Sequence, residues 1–481
     1  MTPEEFRRAG HELVDWIADF RATLEERPVM ARTAPGDVAR AFPKTPPESP
    51  QPVGEIFRAL DTAIVPGITH FGHPRFFGFF PTGGSLSSIL GDFASTGLGA
   101  LGLTWQAAPA LTELEEVTTD WVRQMVGLSD AWRGVIQDTA STATLVALVC
   151  ARERTSNFAV TREGLQGGGS PLVVYASGQS HSSVLKAALV AGFGRTYVRE
   201  IATDASHAMH PQALDRAMRE DHARGWTPCA VVATSGSTTC TAFDPIGAIA
   251  DICGEHGAWL HVDAAMAGSA MVLEECRPLW AGVERADSIV LNPHKWLGAI
   301  FDCSLYLVRD PEHLVRVMST NPAYLQPSGS SGTGAGAVTT YRDWGIALGR
   351  RFRALKLWTL IHIDGVEAIR ARIRRDLDHA RWLAGVVADA PGWRVVAPVP
   401  LQTVCVRHEP PGLEGEALDA HTRAWCDRVN ASGVAYLTAA VLDGRWMVRV
   451  AMGAPITERH HVEETWRAMQ DAAAATQDRR A

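Results

Sequence analysis

The sequence contains no C-x-x-C pair, no unbroken apolar run long enough to cross a bilayer, no excess of positive charge and no internal repeat. Each absence removes a class of function. The eight cysteines, from Cys150 to Cys426, stand singly and mostly inside apolar runs, which argues against a thiolate metal site or a disulfide scaffold and for reduced core residues of a cytoplasmic protein. The longest apolar stretch, Ile89 to Leu111, is broken by Asp92, Gln106, Pro109 and several glycines, so no membrane span is expected. Lys and Arg total 45 against 53 Asp and Glu, a formal net charge of -8 with no basic stripe, so nucleic acid is not an expected partner. The opening MTPEEF lacks the basic start and apolar run of an export signal.

What is present reads as an enzyme-sized globular body, 46% hydrophobic and 20% charged over 481 residues. Phe6, Leu13, Val14, Ile17 and Phe20 recur at helical spacing, and Thr2, Pro3 and Glu5 resemble a capped helix start. The stretch from Ala34 to Val53 holds six prolines and is expected to be an extended arm. Between about residues 134 and 310, the runs PLVVYAS, CAVVAT, AWLHVDAA and ADSIVLN alternate with helical patterns, which implies a mostly parallel sheet covered on both faces. Asp244-Pro245 suits the cap and first residue of one covering helix. A long helix is expected from near Gly345, followed by a small α+β unit containing WRVVAP, LQTVCVRH and MVRVAM.

Lys295, in LNPHKWLG, follows the apolar run SIVLN and would emerge at the end of a buried strand. Asp263 ends AWLHVDAA, where a carboxylate is costly without a cation or strong donors nearby. A structural ion pair would explain both residues. So would pyridoxal phosphate, which requires an amine for its aldehyde and an anion to keep its ring nitrogen protonated. Thr139, Ala140 and Ser141 precede an apolar helical stretch, so their hydroxyls and free N–H groups form either a plain helix cap or a phosphate cradle. Thr238, in SGSTT, is another candidate donor, and His181, in GQSHSSV, lies at the same sheet edge, where it could stack on a ring or simply start a helix. His294 adjoins Lys295, as a phosphate ligand or a turn cap.

Together NPHKW, HVDAA, QSHSSV and TELE resemble the pyridoxal-phosphate decarboxylases of aromatic L-amino acids. The likeness continues through HPRFFGFFPTGG, TWQAAPALTELE, IQDTASTATLVAL, FDCSLYLV, NPAYL and YRDWGIALGRRFRALKLW, in that family's order. It implies a fold-type I α/β architecture: an N-terminal helical segment (1–85), a large cofactor domain with a mostly parallel seven-stranded sheet (86–360) and a small α+β C-terminal domain (361–481). It also implies a homodimer with active sites at the interface. By this resemblance Lys295 carries the cofactor as a Schiff base, Asp263 pairs with its ring nitrogen, and His181 stacks on the ring and contacts the substrate carboxylate. Thr139, Ala140, Ser141, Asn292 and His294 match phosphate-holding positions, and Thr238 and Ala265 match ring contacts. Phe80, Pro81 and Thr82 resemble the substrate wall, with Leu101 and Leu103 reaching in from the neighbouring subunit. Tyr324, in NPAYL, matches a loop tyrosine that returns a proton to Cα, and QPSGSSGTGAGA after it reads as a flexible lid.

Phe71, Phe79 and Leu103 depart from the residues animal DOPA decarboxylases carry, so the pocket is expected to welcome an aromatic ring while losing one hydroxyl donor toward a catechol. Phenylalanine, tyrosine, tryptophan and DOPA all stay open as the substrate. Decarboxylation of glutamate or diaminobutyrate is one alternative, and oxidative release of an aldehyde and ammonia is another.

Overall fold

The computed structural model describes residues 1–99, 101–320 and 338–478. Helix Pro3–Ala22 opens with the expected capping box: Glu5 N donates to Thr2 Oγ1 at 3.2 Å, and Thr2 N donates to the Glu5 carboxylate at 2.7 Å. None of the helix's residues is buried, and Phe6 is 67% exposed. Its apolar stripe therefore lacks a complete partner surface among the described residues. The proline-rich stretch is irregular and exposed apart from the single turn Asp37–Arg40.

The main sheet contains β1 (Arg133–Gln137), β2 (Leu172–Ser177), β3 (Val198–Ile201), β4 (Thr227–Thr234), β5 (Trp259–Asp263), β6 (Ser288–Leu291) and β7 (Ser304–Val308). Its order is β1-β7-β6-β5-β4-β2-β3, with β7 antiparallel to both neighbours and every other pairing parallel. Alternate strand residues feed two cores. Val174, Val232 and Val290 pack with helices Ala140–Thr155 and Ser182–Val190 on one face, while Tyr175, Val231 and Ile289 pack with Pro211–Ala223 and Ile246–His256 on the other. This two-sided burial is why the strands read as continuous apolar runs rather than alternating ones.

One expectation is corrected here. Asp244 does not cap the next helix, which starts at Ile246 with Pro245 at its cap position. Its carboxylate instead accepts Met209 N and Thr234 N, both at 2.7 Å, and so ties the end of β4 to a neighbouring loop. Two buried backbone donors attract the carboxylate more strongly than an exposed helix end.

The long helix begins at Ala354 rather than near Gly345, and runs to Asp389 with a break at Gly365 (φ 77°, ψ 156°). The expected 360/361 boundary falls inside it. Beyond it, β8 (Trp393–Val395), β9 (Thr403–His408), β10 (Thr438–Leu442) and β11 (Arg445–Ala451) form an antiparallel sheet in the order β10-β11-β9-β8. Helices Gly415–Ser432 and Arg459–Asp478 back that sheet around Trp393, Trp425 and Trp466. Among the described residues no helix is long and apolar enough to cross a membrane.

Candidate active site

Five of the parallel-running strands deliver chemistry at their carboxyl ends. β1 leads into Thr139, β2 into His181, β4 into Thr238, β5 ends on Asp263 and β6 leads into Lys295. Because these strands share a direction, their ends open on one crevice, the usual ligand position in such sheets. A cavity of about 180 Å³ lies there. Every cofactor-binding residue expected from the sequence lines it: Thr139, Ala140, Ser141, His181, Thr238, Asp263, Ala265, Asn292, His294 and Lys295.

Lys295 lies in the single helical turn Pro293–Leu297, where its own dihedrals are non-helical (φ -98°, ψ -108°). Removal from water pushes its amine below the ordinary lysine range, while Asp263 pulls in the opposite direction. Asp263 is buried, and its Oδ1 accepts Ala265 N at 3.1 Å, so the carboxylate is oriented by the turn that follows it. The cavity therefore presents a nucleophilic amine with a lowered proton affinity together with a fixed anion. Among its lining residues these are the Lys and Asp side chains, and no Arg or Glu joins them.

Helix Ala140–Thr155 points its N-terminus at the same cavity, and its cap residue Thr139 makes no side-chain capping bond. The first-turn N–H groups and their partial positive charge of about 0.5 are thus left for an anion. Asn292 Oδ1 accepts the Ser304 hydroxyl at 2.6 Å, which fixes the amide. His294 Nδ1 accepts Cys303 N at 2.9 Å, so the neutral ring carries its hydrogen on Nε2. Burial, with the nearby Lys295 charge, lowers the His294 pKa to about 4 and keeps the ring neutral.

His181 caps helix Ser182–Val190: its Nδ1 accepts Ser183 N at 3.2 Å and meets Ser183 Oγ at 2.8 Å. Its pKa is lowered by partial desolvation, against the pull of Asp263. The Phe80 ring also lines the cavity, with Lys295 Nζ 5.2 Å from its centroid. Phe79, just before it, takes a positive φ of 41°, held by Thr438 Oγ1, which accepts Phe79 N at 2.8 Å, and by Arg449, which donates to Phe79 O at 3.2 Å.

Pro81, Thr82, Leu101 and Leu103 do not line this cavity. Pro81 is buried, Thr82 and Leu103 are half-buried, and Leu101 is exposed. Tyr324 and the whole segment expected to act as a lid, residues 326–337, lie outside the described residues. The sequence reading missed Ser183, Thr234, Gly236 and Met266, which also line the cavity. Thr234 was legible as the last residue of CAVVAT. Arg449, left unassigned on sequence, is buried, and its guanidinium lies 5.1 Å from the Phe80 centroid, with Nε donating to Thr239 O at 3.0 Å and Nη2 without a partner among the described residues.

A wider cleft of about 990 Å³, beside β1 and β7, is lined by Arg123, Arg309 and Tyr341 among others, and gathers none of the predicted residues. Glu25, His460 and His461 form a cluster elsewhere. There His461 Nδ1 accepts Glu458 N, which leaves Nε2 as the donor to Glu25 at 2.8 Å, a hydrogen-bonding rather than ligating arrangement.

Residues 35–409 match the family model for the pyridoxal-dependent decarboxylase conserved domain. The chain is 38% identical to phenylacetaldehyde synthase of Arabidopsis thaliana, over 98% of this chain and 96% of that one. It is also 38% identical to tyrosine decarboxylase 4 of Petroselinum crispum, over 99% and 95%. The crystal structure of Oryza sativa TDC with PLP and tryptamine superposes with a TM-score of 0.94 at 36% identity, covering 99% of both chains.

Proposed function

The chain belongs to the pyridoxal-dependent decarboxylase family, and on that premise we propose that it converts an aromatic L-amino acid to its amine and carbon dioxide, with Lys295 bearing pyridoxal phosphate. The observation that carries this reading is the meeting of Lys295, Asp263 and the uncapped N-terminus of helix Ala140–Thr155 in one cavity.

These residues fit the cofactor group by group. The helix N-terminus, with Thr139, Ser141 and the His294 Nε2 hydrogen, suits a phosphate. Asp263 suits a protonated pyridine nitrogen, and Lys295 supplies the amine that an aldehyde takes. A cofactor held there would supply an electron sink for the bond to the departing carboxylate. Asp263 would keep a proton on the ring nitrogen. His181 covers the cavity beside it, Phe80 and Met266 exclude water, and Tyr324 delivers the proton to Cα.

Apart from Lys295 and Asp263 the cavity wall is uncharged, which leaves the side chain of glutamate or diaminobutyrate without a counter-charge. Next to Phe80, an aromatic cluster continues outward: Phe79 lies 5.9 Å from Tyr436, and Phe71 lies 4.5 Å from Phe76. Such a surface receives an aromatic ring by edge and face contacts. The exposed faces of helices Pro3–Ala22 and Leu86–Leu98, carrying Phe6, Leu90 and Phe93, suit a second copy of the chain, and Leu101 and Leu103 complete the substrate wall of that copy. Eight buried free cysteines favour the reducing cytoplasm.

The likeness to a phenylacetaldehyde synthase supports a second reading, in which dioxygen and one water are consumed and an aldehyde, ammonia and hydrogen peroxide leave with the carbon dioxide. One experiment separates the two. Cofactor-loaded protein is mixed with phenylalanine, tyrosine, tryptophan, DOPA and glutamate, and carbon dioxide, amine, aldehyde and peroxide are measured. Amine in step with carbon dioxide from an aromatic substrate is the expected result. Aldehyde with peroxide selects the second reading, and amine from glutamate alone overturns the aromatic assignment.

A further inference from the structure

The turn that bears Lys295 is gripped from behind by a helix far away in sequence. Trp296 Nε1 donates to Asp376 Oδ2 at 2.8 Å, and Arg372 donates to Trp296 O at 2.8 Å and to Leu297 O at 2.7 Å. Asp376 and Arg372 lie four residues apart on helix Ala354–Asp389 and so present one face to this turn. Trp296 and Asp376 are fully buried, and Trp296 ranks among the largest buried side chains. Gly298, which ends the turn at φ 89°, packs so close to Arg372 that a Cβ there would lie 3.0 Å from Nη2. Neither Asp376 nor Arg372 lines the cavity.

A lysine side chain has four carbons of free rotation, so the direction of its amine depends on how firmly its backbone is held. The chain before Lys295 is anchored by Asn292 N, which donates to Ala265 O at 2.9 Å. The chain after it has the two Arg372 bonds and the indole bond. Between these anchors Lys295 takes its non-helical dihedrals, and the amine faces the Phe80 wall.

We propose that Asp376 and Arg372 are positioning residues for Lys295, which through Trp296 and Leu297 fix the turn so that its amine is aimed at the aldehyde-binding end of the cavity. The inference rests on Lys295 being the cofactor-bearing residue. A buried carboxylate is a costly way to fill space, since a leucine would pack there without desolvation, so its presence beneath this turn calls for a directional role. Burial raises the Asp376 pKa to about 6 against the opposing pull of Arg372, the Trp296 N–H and Arg375, with Glu458 adding to the rise. The carboxylate form is the one that grips the indole most firmly.

The test uses holoenzyme and apoprotein of the full chain with Asp376→Asn, Trp296→Phe, the Trp296→Phe/Asp376→Asn pair, Arg372→Met and Arg372→Lys. Three quantities are measured: the rate at which apoprotein takes up added pyridoxal phosphate, the pH titration of the visible absorbance of the cofactor–lysine adduct, and kcat against KM. Borohydride reduction and peptide mapping of the wild type report which lysine carries the cofactor. The expected result is label on Lys295, uptake and kcat at least about tenfold slower in Asp376→Asn with KM nearly unchanged, a shifted adduct titration, partial recovery in Arg372→Lys relative to Arg372→Met, and a double variant no worse than Trp296→Phe alone. If Asp376→Asn does not fold, Trp296→Phe, which removes only the donor, carries the same comparison. Label on Lys295 with unchanged uptake, titration and kcat, whatever the melting temperature does, overturns the inference and leaves the functional reading standing. Label on another lysine overturns both.

Discussion

Arg449 holds its guanidinium 5.1 Å from the centre of the Phe80 ring, the same ring that lies 5.2 Å from Lys295 Nζ. Two of its nitrogens are committed to Thr239 O and Phe79 O, and Nη2 is buried without a partner among the described residues. Arg449 does not itself line the cavity, but its charge is felt at Lys295, and a substrate carboxylate reaching past the Phe80 ring would meet the free nitrogen. Arg449→Lys keeps the charge but loses the planar fork. KM for an aromatic substrate should rise about tenfold, equivalent to about 1.4 kcal/mol, with a smaller change in kcat. An unchanged KM in steady-state kinetics would show that Arg449 serves only to hold Phe79.

Lys295→Ala should abolish the visible cofactor adduct and lower turnover by at least about a thousandfold. Asp263→Asn should keep the adduct, because the amine is intact, yet lower kcat about a hundredfold or more by removing the fixed charge that the reaction draws on. Absorbance spectra beside carbon dioxide release distinguish the two losses. An Asp263→Asn enzyme of normal kcat would sink the ring-nitrogen assignment.

Glu115 and Arg350 form a buried pair: Arg350 Nη2 donates to Glu115 Oε1 at 2.7 Å and to Ile136 O at 2.9 Å, while Ile136 N donates to the same Glu115 oxygen at 3.0 Å. The pair clamps β1 just before Gln137 and the phosphate-end residues. Removing one partner strands the other charge, so Glu115→Gln or Arg350→Met should cost about 3–5 kcal/mol. Chemical denaturation checks the loss, and cofactor affinity should fall with it because Thr139 follows directly on β1.

His73, His261 and His294 each have a pKa lowered by burial to about 4. The unfolded chain binds those protons first, so the fold loses stability as pH falls from about 6.5 toward 4, and the loss is complete below that window. Asp244 and Asp376, with pKa values raised to about 6, act in the opposite sense and favour the fold over part of the same range. His261 is wholly buried, with Nδ1 2.9 Å from Ser288 Oγ. His261→Gln should lose less stability than the wild type on acidification, by up to about 1.4 kcal/mol per pH unit, as read from denaturant midpoints between pH 7 and 4. Parallel curves would mean that another group supplies the slope.

Lys295, Asp263 and His181 were legible in the sequence because each ends or follows a long apolar run, and a parallel sheet covered on both faces collects such ends on one edge. Residues that reach the site from the side leave no such mark. Arg449 lies mid-strand in β11 and Asp376 mid-helix, and only tertiary packing brings them near Lys295. β10 (TAAVL) escaped notice because it is a half-exposed edge strand, and the short β3 (VREI) lacks an apolar core of its own. The cap expected at Asp244 failed because two buried backbone donors outcompeted the helix end. Pro81, Thr82, Leu101 and Leu103 came from resemblance alone, and nothing in their local sequence says which copy of the chain they face.

The reversed direction of β7 carries a consequence for how this chain tolerates insertions and deletions. Its pairing with β6, Leu291 opposite Leu305 through Ser288 opposite Val308, makes the lysine-bearing segment a closed hairpin loop rather than a free crossover. All residues of β7 are buried, so adding or removing one residue between Asn292 and Cys303 would either slip that register and turn every β7 side chain to the opposite face or bulge the turn itself. The other strand-end segments lead into crossovers that can absorb a residue more or less. The spacing between Leu291 and Ser304 is therefore expected to be as intolerant of change as Lys295 itself.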